Sequence, residues 1–179
     1  DSLGRIWMGH EDGHISFIAK AGVETFNPQE GSSTKAISDI LFDSKGNLWI
    51  GTYTGLNLFN REKNNFTSFY EKDGLPNDLI NGILEDDKGT LWISTNKGIS
   101  NFDPVNMTFR NFDTGDGLQG NDFIHGACLK TRDGEMYFGG PNGFNSFYPD
   151  SIKDNKLIPK IVITDFLIFN SHFTIFLFS

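Results

Sequence analysis

The segment Gly46-Asn47-Leu48-Trp49-Ile50-Gly51-Thr52 is the main indicator of the fold, because related segments occur at three other places in the chain. The other three are Gly4-Arg5-Ile6-Trp7, Gly89-Thr90-Leu91-Trp92 and Gly134-Glu135-Met136-Tyr137, which place an aromatic residue at the position of Trp49. These aromatic residues follow one another at intervals of 42, 43 and 45 residues. An internal period of this length is typical of a protein built from stacked structural repeats.

Further positions recur in each unit. A second glycine follows each aromatic residue by six positions, and a phenylalanine follows that glycine by four. The glycines are Gly13, Gly55, Gly98 and Gly143, and the phenylalanines are Phe17, Phe59, Phe102 and Phe147. Three units also have an aspartate three residues before the first glycine, at Asp1, Asp43 and Asp86, whereas the fourth has Thr131. We interpret the glycines as turn residues and expect Trp7, Trp49, Trp92 and Tyr137 to fill equivalent positions between units.

Each unit alternates in the way that short strands do, and no sustained helical period is present. In the second unit the predicted strands are 48–52, 56–59, 66–70 and 79–84. Four short antiparallel strands in 42 to 45 residues is the size of a β-propeller blade. The sequence therefore predicts an all-β chain of about four blades that form an incomplete propeller. An unrelated β-sandwich would explain the strands but not their spacing.

Composition and charge restrict the function. The net charge is −8 and the 15 basic residues are scattered, whereas a nucleic-acid surface needs clustered Lys and Arg. Cys128 is the one cysteine, so no intrachain disulfide can form, and we expect a buried, inert thiol. No sequence motif indicates a cofactor.

Two motifs suggest chemistry that their context does not support. His10-Glu11-Asp12-Gly13-His14 has the zinc-protease spacing, but that site needs a helix, and we expect a hairpin that separates the histidines. Glu85-Asp86-Asp87 is a run of carboxylates at a predicted turn between strands, where we expect solvated side chains rather than acid–base catalysis. We therefore predict neither a metal site nor catalytic residues.

The repeat resembles a known family. Gly46-Asn47-Leu48-Trp49-Ile50-Gly51-Thr52 with Gly55 and Phe59, followed by Asp73-Gly74-Leu75-Pro76-Asn77-Asp78, is similar to the two-component regulator propeller repeat. The resemblance covers residues 1 to about 150 and predicts a repeat domain over 1–157. Residues 158–170 resemble the beginning of an immunoglobulin-like three-tyrosine domain, which predicts a second, truncated domain over 158–179.

The resemblance implies a non-enzymatic sensor. The sequence resembles the periplasmic portion of inner-membrane hybrid two-component proteins of the Bacteroides type. These join a sensor to a histidine kinase and a response regulator. The implied ligand is an oligosaccharide or another small molecule, the implied full-length protein is a homodimer, and the implied membrane span lies downstream of this segment. Two alternatives stay open: a scaffold propeller that binds protein partners, and a propeller glycosidase or lyase, which would need carboxylates or histidines clustered near the axis.

Candidate ligand-binding residues lie in two classes of loop. One class joins consecutive blades and the other joins the second and third strands of a blade, and we expect both on the same edge of the propeller. Asn, Asp and Tyr suit the hydroxyls and ring faces of a sugar, although Asp73 and Asn77 could instead only brace a turn. The candidates are Tyr53, Thr54, Asp73, Asn77, Asp78, Asn96, Lys97, Asp116, Asn121, Asp122, His125 and Asn142.

Overall fold

The computed structural model describes residue 1, residues 3–26 and 36–152, and the backbone of a short strand pair at 167–168 and 171–172. The strands are β1 Ile6–Gly9, β2 Ile15–Ala19, β3 Gly22–Phe26, β4 Ile37–Phe42, β5 Leu48–Thr52, β6 Gly55–Asn60, β7 Asn65–Phe69, β8 Ile80–Glu85, β9 Leu91–Thr95, β10 Gly98–Asp103, β11 Thr108–Phe112, β12 Cys128–Lys130, β13 Met136–Gly140, β14 Gly143–Phe147, β15 Leu167–Ile168 and β16 Ser171–His172. Short 3₁₀ helices span Glu71–Asp73, Thr114–Asp116 and Pro149–Ser151.

Strands β1 to β14 form a row of four small antiparallel sheets, and each of these sheets is one blade. The second and third blades have four strands, in the orders β4-β5-β6-β7 and β8-β9-β10-β11. In the described residues the first blade consists of β1-β2-β3 and the fourth of β12-β13-β14. The all-β prediction with about four blades is confirmed.

The prediction for the end of the chain has a different outcome. The boundary at 157 and the immunoglobulin-like domain over 158–179 fall outside the described residues, except for the strand pair β15–β16. Both therefore stay predictions.

Neighbouring blades bury each other's faces, so their central strands are apolar on both sides. All five residues of β5 are buried, and the same holds for β9. The faces of one strand belong to different interfaces: Leu48 and Ile50 pack toward the first blade, whereas Trp49 packs toward the third. A single blade would leave both of these faces in water, so stacking between blades is what buries the strand.

Three hydrophobic clusters fill the three interfaces between blades, which we call the first, second and third seam. The buried residues of the first seam are Ile15, Leu48, Ile50 and Phe59. The second contains Trp49, Leu56, Leu75, Ile80, Ile83, Leu91, Ile93 and Phe102. The third contains Trp92, Ile99, Phe123, Met136 and Phe138.

An aspartate accepts a hydrogen bond from the tryptophan of each of the first three blades, and in the second and third blades this aspartate is buried. Trp49 Nε1 donates a hydrogen bond of 2.9 Å to Asp43 Oδ2. Trp92 donates similarly to Asp86 at 3.1 Å, and Trp7 to Asp1 at 2.7 Å. The prediction that Asp86 lies in a solvated turn is wrong, because only 8% of this residue is exposed. Its carboxylate is covered because the indole N–H reaches back to it from the next strand.

The fourth blade lacks both members of this pair. Thr131 replaces the aspartate, and its hydroxyl donates to Glu135 O at 3.0 Å. Tyr137 replaces the tryptophan, and its hydroxyl donates to Glu135 Oε2 at 2.7 Å. Tyr137 lies in register with the tryptophans on its strand, but it is half-buried on the outer face of the last described blade rather than within a described seam.

The first blade departs from the predicted register by one residue. Trp49 pairs with Leu58 across β5 and β6, whereas Trp7 pairs with Phe17 across β1 and β2. The predicted equivalence of Phe17 with Phe59 is therefore wrong, since a shift of one residue moves a side chain to the other face of the sheet. Phe17 is nevertheless buried, because its ring packs 4.8 Å from that of Trp7.

The shift comes from a longer hairpin between β1 and β2. His10 N–H donates to His14 O at 3.0 Å, which places three residues, 11–13, in the turn. The corresponding hairpin of the second blade has two, because Thr52 pairs with Gly55. Gly13 is thus the last residue of a three-residue turn, with a φ of 87°, and it is not the equivalent of Gly55.

Candidate functional site at the connection edge

The two classes of loop emerge on one edge of the blades, which we call the connection edge. The hairpin of the second blade is closed by the Thr52–Gly55 pair, and the last pair of β6 and β7 at this end is Leu56–Phe69. The chain then crosses to β8, whose first residue, Ile80, pairs with Thr95 beside the hairpin of the third blade. Residues 53–54, 70–79 and 96–97 therefore share this edge.

The connection from the second to the third blade is held by its own side chains. Tyr70 N–H donates to Asp73 Oδ2 at 3.0 Å, and Glu71 N–H donates to Asp78 Oδ1 at 2.6 Å. Gly74 ends the 3₁₀ turn with a φ of 122°, a conformation that a side chain would strain. Asp73 and Asp78 thus brace the loop.

The connection from the third to the fourth blade repeats this geometry. Asp113 N–H donates to Asp116 Oδ2 at 3.0 Å, and Thr114 N–H donates to Asn121 Oδ1 at 3.1 Å. Gly117 has a φ of 100° where the earlier loop has Gly74. Asp116 and Asn121 therefore brace their loop as Asp73 and Asp78 brace theirs.

Glu71 joins the connection of the second blade to the hairpin of the third. Asn77 Nδ2 donates to Glu71 Oε1 at 2.8 Å, and Lys97 Nζ lies 3.7 Å from Glu71 Oε2. Two predicted residues are thus brought together by a residue that the sequence analysis missed. The equivalent position in the next connection is Thr114, so the repeat gave no signal for Glu71.

Gln119 makes the corresponding link between the third and fourth blades. Its side-chain oxygen accepts from Asn142 N–H at 3.0 Å, and its backbone oxygen accepts from Asn142 Nδ2 at 3.4 Å. Its side-chain amide also donates to Asp122 O at 3.3 Å. Sequence reasoning identified Asn142 and Asp122 but not the glutamine between them.

The remaining candidates include side chains that reach solvent. Tyr53 is 49% exposed at the tip of its hairpin, whereas the amide of Thr54 donates to Thr52 Oγ1 at 3.2 Å. Asn96 accepts from the buried Asn81 Nδ2 at 2.8 Å, which fixes its orientation. His125 is exposed in the connection to the fourth blade.

An aspartate links the inner strands of the second and third blades. Ile83 N–H donates to Asp39 Oδ2 at 2.8 Å, and Ile40 N–H donates to Asp39 Oδ1 at the same distance. Burial raises the pKa of Asp39 above its ordinary value, although the two backbone hydrogen bonds and the nearby His125 oppose this rise. Burial, followed by the charge of Asp39, raises the pKa of the half-buried Cys128 thiol to about 11.

The histidines of the zinc-like motif have separate partners. His10 Nε2 lies 3.0 Å from Ser16 Oγ, and His14 Nδ1 lies 2.7 Å from Asp12 Oδ2. Within the described part of the chain, no group of three His, Cys, Asp or Glu side chains is arranged to hold a metal ion. The two histidine side chains thus have different partners in this hairpin.

Comparison with known families matches the repeat directly. The family model described as "Two component regulator propeller" matches residues 31–54 and 74–97. These two segments are two-component regulator propeller repeats. The matched residues include the buried strand β5 and the Leu75–Ile80 part of the connection, so the repeat family corresponds to the blades and connection edge described above.

The relatives are much longer than this chain. A crystal structure of the extracellular domain assigned to the hybrid two component system BT3049 from B. thetaiotaomicron shares 36% identity, with a TM-score of 0.79, over 92% of this chain and 23% of that one. Histidine kinase P4 of Formosa agariphila is 40% identical over 50 residues, which is 28% of this chain and 4% of the kinase. This chain thus spans about a quarter of the length of the solved relative.

More distant structures share the fold alone. The extracellular domain of BT4673 from B. thetaiotaomicron has a TM-score of 0.66 and 20% identity over 84% of this chain and 23% of that one. Virginiamycin B lyase from Staphylococcus aureus has a TM-score of 0.61 and 14% identity over 84% of this chain and 54% of the lyase. A likeness at this level supports propeller repeats but no shared activity. Among the described residues, no helix is long and apolar enough to span a membrane.

Proposed function

We propose that these repeats are part of an extracytoplasmic sensor of a hybrid two-component protein and that they bind an oligosaccharide at the connection edge. The observation that carries the proposal is the 36% identity over 92% of the chain with an extracellular domain assigned to such a system. The match to two-component regulator propeller repeats supports the same role. In this proposal the segment lies in the periplasm and has no catalytic residue.

The connection edge offers groups that suit a sugar. Tyr53 presents a half-exposed ring, which can cover the apolar face of a pyranose. Lys97 is exposed, and its ammonium is held only loosely by Glu71, at 3.7 Å. Asn142 has an exposed side chain beside Gln119. Side-chain amides both donate and accept hydrogen bonds, as sugar hydroxyls do.

Ligand binding at this edge would act on more than one blade. Glu71 belongs to the connection of the second blade and Lys97 to the hairpin of the third. A sugar that contacts both would favour one relative arrangement of these loops. A signal requires that the ligand bind two arrangements with different affinity, and the proposed homodimer would transmit that difference to the kinase.

Calorimetric titration of the chain with a panel of oligosaccharides tests this proposal. Tyr53→Ala and Lys97→Ala are the informative variants, because Tyr53 is half-exposed and Lys97 contacts the connection loop through a 3.7 Å ion pair with Glu71 rather than through a hydrogen bond to its backbone. We expect each to weaken binding by about tenfold or more. Asn77→Ala and Asn121→Ala would also weaken binding, but they remove hydrogen bonds that hold the loops.

Val105→Ala is the matched control. Val105 is 70% exposed and lies between β10 and β11, at the opposite edge of the third blade. Binding should be unchanged in this variant. An absence of binding heat with every glycan, from a chain that circular dichroism shows to be folded, would refute oligosaccharide recognition by this segment. An equal loss of affinity in Tyr53→Ala, Lys97→Ala and Val105→Ala would refute the assignment of the binding site to the connection edge.

A further inference from the structure

Asn81 is the additional residue of a β-bulge at the beginning of β8, the inner strand of the third blade. The residues on either side of it, Ile80 and Gly82, pair with consecutive residues of β9. Asn81 therefore has no pairing partner of its own on that strand, and only 3% of it is exposed. A bulge directs a side chain away from the alternation of a regular strand. The direction taken by this buried amide is thus a specific feature of the third blade.

The side chain of Asn81 holds the exposed Asn96 in one orientation. Asn81 Nδ2 donates a hydrogen bond of 2.8 Å to Asn96 Oδ1 at the tip of the β9–β10 hairpin, on the connection edge. Because the side-chain oxygen of Asn96 is occupied, its amide Nδ2 is the group that it offers to a ligand. A donor that is already held in place loses less conformational entropy when a ligand binds.

The backbone of Asn81 fixes a second exposed residue at the same edge. Gly126 N–H donates to Asn81 O at 2.8 Å. Gly126 belongs to a β-turn that is closed by a hydrogen bond of 3.0 Å from Ala127 N–H to Ile124 O. The second residue of this turn is His125, which is exposed. Asn96 and His125 are therefore both anchored to one buried residue.

The second and fourth blades lack this arrangement. The second blade has the same bulge, but its additional residue is Ser38, and within the described residues the buried Ser38 Oγ has no hydrogen-bond partner. The hairpin residue in the position of Asn96 is Tyr53 in the second blade and Pro141 in the fourth. Blades thus stack without an Asn81–Asn96 hydrogen bond. Since stacking does not require this bond, its role lies in the placement of the Asn96 amide.

We propose that Asn96 is the residue of the connection edge that distinguishes one oligosaccharide from another, and that Asn81 positions it. Asn96 Nδ2 donates to an acceptor oxygen of the sugar, and His125 contacts a neighbouring hydroxyl. The inference rests on the proposed function, because it requires that an oligosaccharide bind at this edge. A donor held in one place selects a sugar by the position of its hydroxyl oxygens, and such hydrogen bonds discriminate more strongly than apolar contacts do.

A double-mutant cycle in calorimetric titrations of the full chain tests the inference. The probes are maltohexaose, cellohexaose, mannohexaose and xylohexaose. Asn96→Ala and Asn81→Ser should each weaken the tightest of these complexes by about tenfold, and Asn96→Ala should bring the four affinities closer together. In the Asn96→Ala background, Asn81→Ser should have no further effect on binding, because the Asn81 side chain acts only through Asn96. A general loss of stability would instead weaken binding in both backgrounds.

Ser38→Ala is the matched control, because Ser38 is the bulge residue of the second blade and its hydroxyl is unpartnered in the described part of the chain. Binding should be unchanged in this variant. No binding heat with any probe, from folded wild-type chain, would overturn the proposed function and this inference together. Wild-type binding that is unchanged in Asn96→Ala, or that Asn81→Ser weakens equally in both backgrounds, would overturn this inference alone.

Discussion

The indole Nε1 of Trp49 donates a hydrogen bond of 2.9 Å to the carboxylate of Asp43, six residues earlier in the chain. The other carboxylate oxygen accepts from the amides of Lys45 and Asn47 at 3.0 and 2.8 Å. One side chain thus fixes the turn between β4 and β5 and the ring that fills the second seam. This arrangement occurs in three of the four blades, so it is a structural element of the repeat.

Asp43→Ala should destabilise the chain by about 3 kcal/mol, because it leaves the buried indole N–H and two turn amides without acceptors. Urea unfolding followed by circular dichroism measures the change. Asp87→Ala is the control, since Asp87 is exposed and its ion pair with Lys130 should contribute less than about 1 kcal/mol. Equal losses in the two variants would contradict a special role for Asp43.

The contribution of Asp43 should also depend on pH. Burial raises its pKa, but the hydrogen bonds from Asn47, Trp49 and Lys45 outweigh burial and hold the pKa below the ordinary value of 3.8. A depressed folded-state pKa means that the stabilisation is complete above pH 3.8 and is lost as the pH falls through the folded value. The stability difference between wild type and Asp43→Ala should therefore shrink in acid. Unfolding midpoints of both proteins, measured between pH 2 and 6, check this. A difference in stability that stays constant over this range would contradict the lowered pKa of Asp43.

Asp39 should show the opposite dependence. Burial raises its pKa, so the folded state holds the proton more tightly than the unfolded state, and stability falls as the pH rises above the ordinary value of 3.8. Asp39→Asn removes the charge and keeps an acceptor for Ile83 N–H. The stability of this variant relative to wild type should improve from pH 3 to pH 6. A relative stability that worsens over this range would show that the ionised carboxylate stabilises the inner strands.

The Asp–Trp hydrogen bond can also be tested by introducing it into the fourth blade, which has Thr131 and Tyr137 in place of the aspartate and the tryptophan. Thr131→Asp and Tyr137→Trp place the two partners at the spacing found in the other blades. Each single change lacks its partner, so the double variant should be more stable than the sum of the single changes by about 1 kcal/mol. A double-mutant cycle of unfolding free energies measures this coupling. Strict additivity would mean that the bond does not form.

Gly98 and Gly143 form a matched pair for the hairpins of the connection edge. Both have positive φ, 107° and 122°, so alanine at either position should cost about 1 kcal/mol of backbone strain. A Cβ on Gly98 would also overlap the carbonyl oxygen of Phe112, whereas at Gly143 it would meet nothing within 4 Å. Gly98→Ala should therefore cost at least about 2 kcal/mol more than Gly143→Ala in urea unfolding. Similar losses of unfolding free energy in the two variants would show that the positive φ alone, and not the contact with Phe112, requires glycine at these positions.

The repeat made most of the fold predictable. The spacing from Trp49 to Gly55 and Phe59 gave the strands of the second and third blades, because those blades use two-residue hairpins. The same spacing misplaced Phe17, since Gly13 follows Trp7 by six residues but lies in a longer turn. The number of residues between Trp and Gly is the same for a two-residue and a three-residue hairpin. The sequence spacing therefore cannot distinguish them, because the register depends on which backbone groups pair.

The candidate site was predictable in place but not in detail. The expectation that the two classes of loop share one edge correctly placed Asp73, Asn77 and Lys97 at the same edge. It could not reveal that Glu71 connects Asn77 with Lys97, or that Gln119 holds Asn142, because these contacts cross between blades. The burial of Asp86 was missed for a related reason: its cover is an indole from the following strand.

The additional residue in the β1–β2 hairpin shows that the two edges of a blade tolerate change unequally. Three residues occupy that turn in the first blade and two in the second, yet Phe17 still packs against Trp7 and the first seam stays filled. At the opposite edge the turn keeps one length in all four blades, because the amides of Gly4, Gly46, Gly89 and Gly134 each donate to the carbonyl oxygen three residues earlier. A propeller of this design can acquire a new binding surface by editing its hairpin tips one at a time, with no need to rebuild the scaffold beneath them.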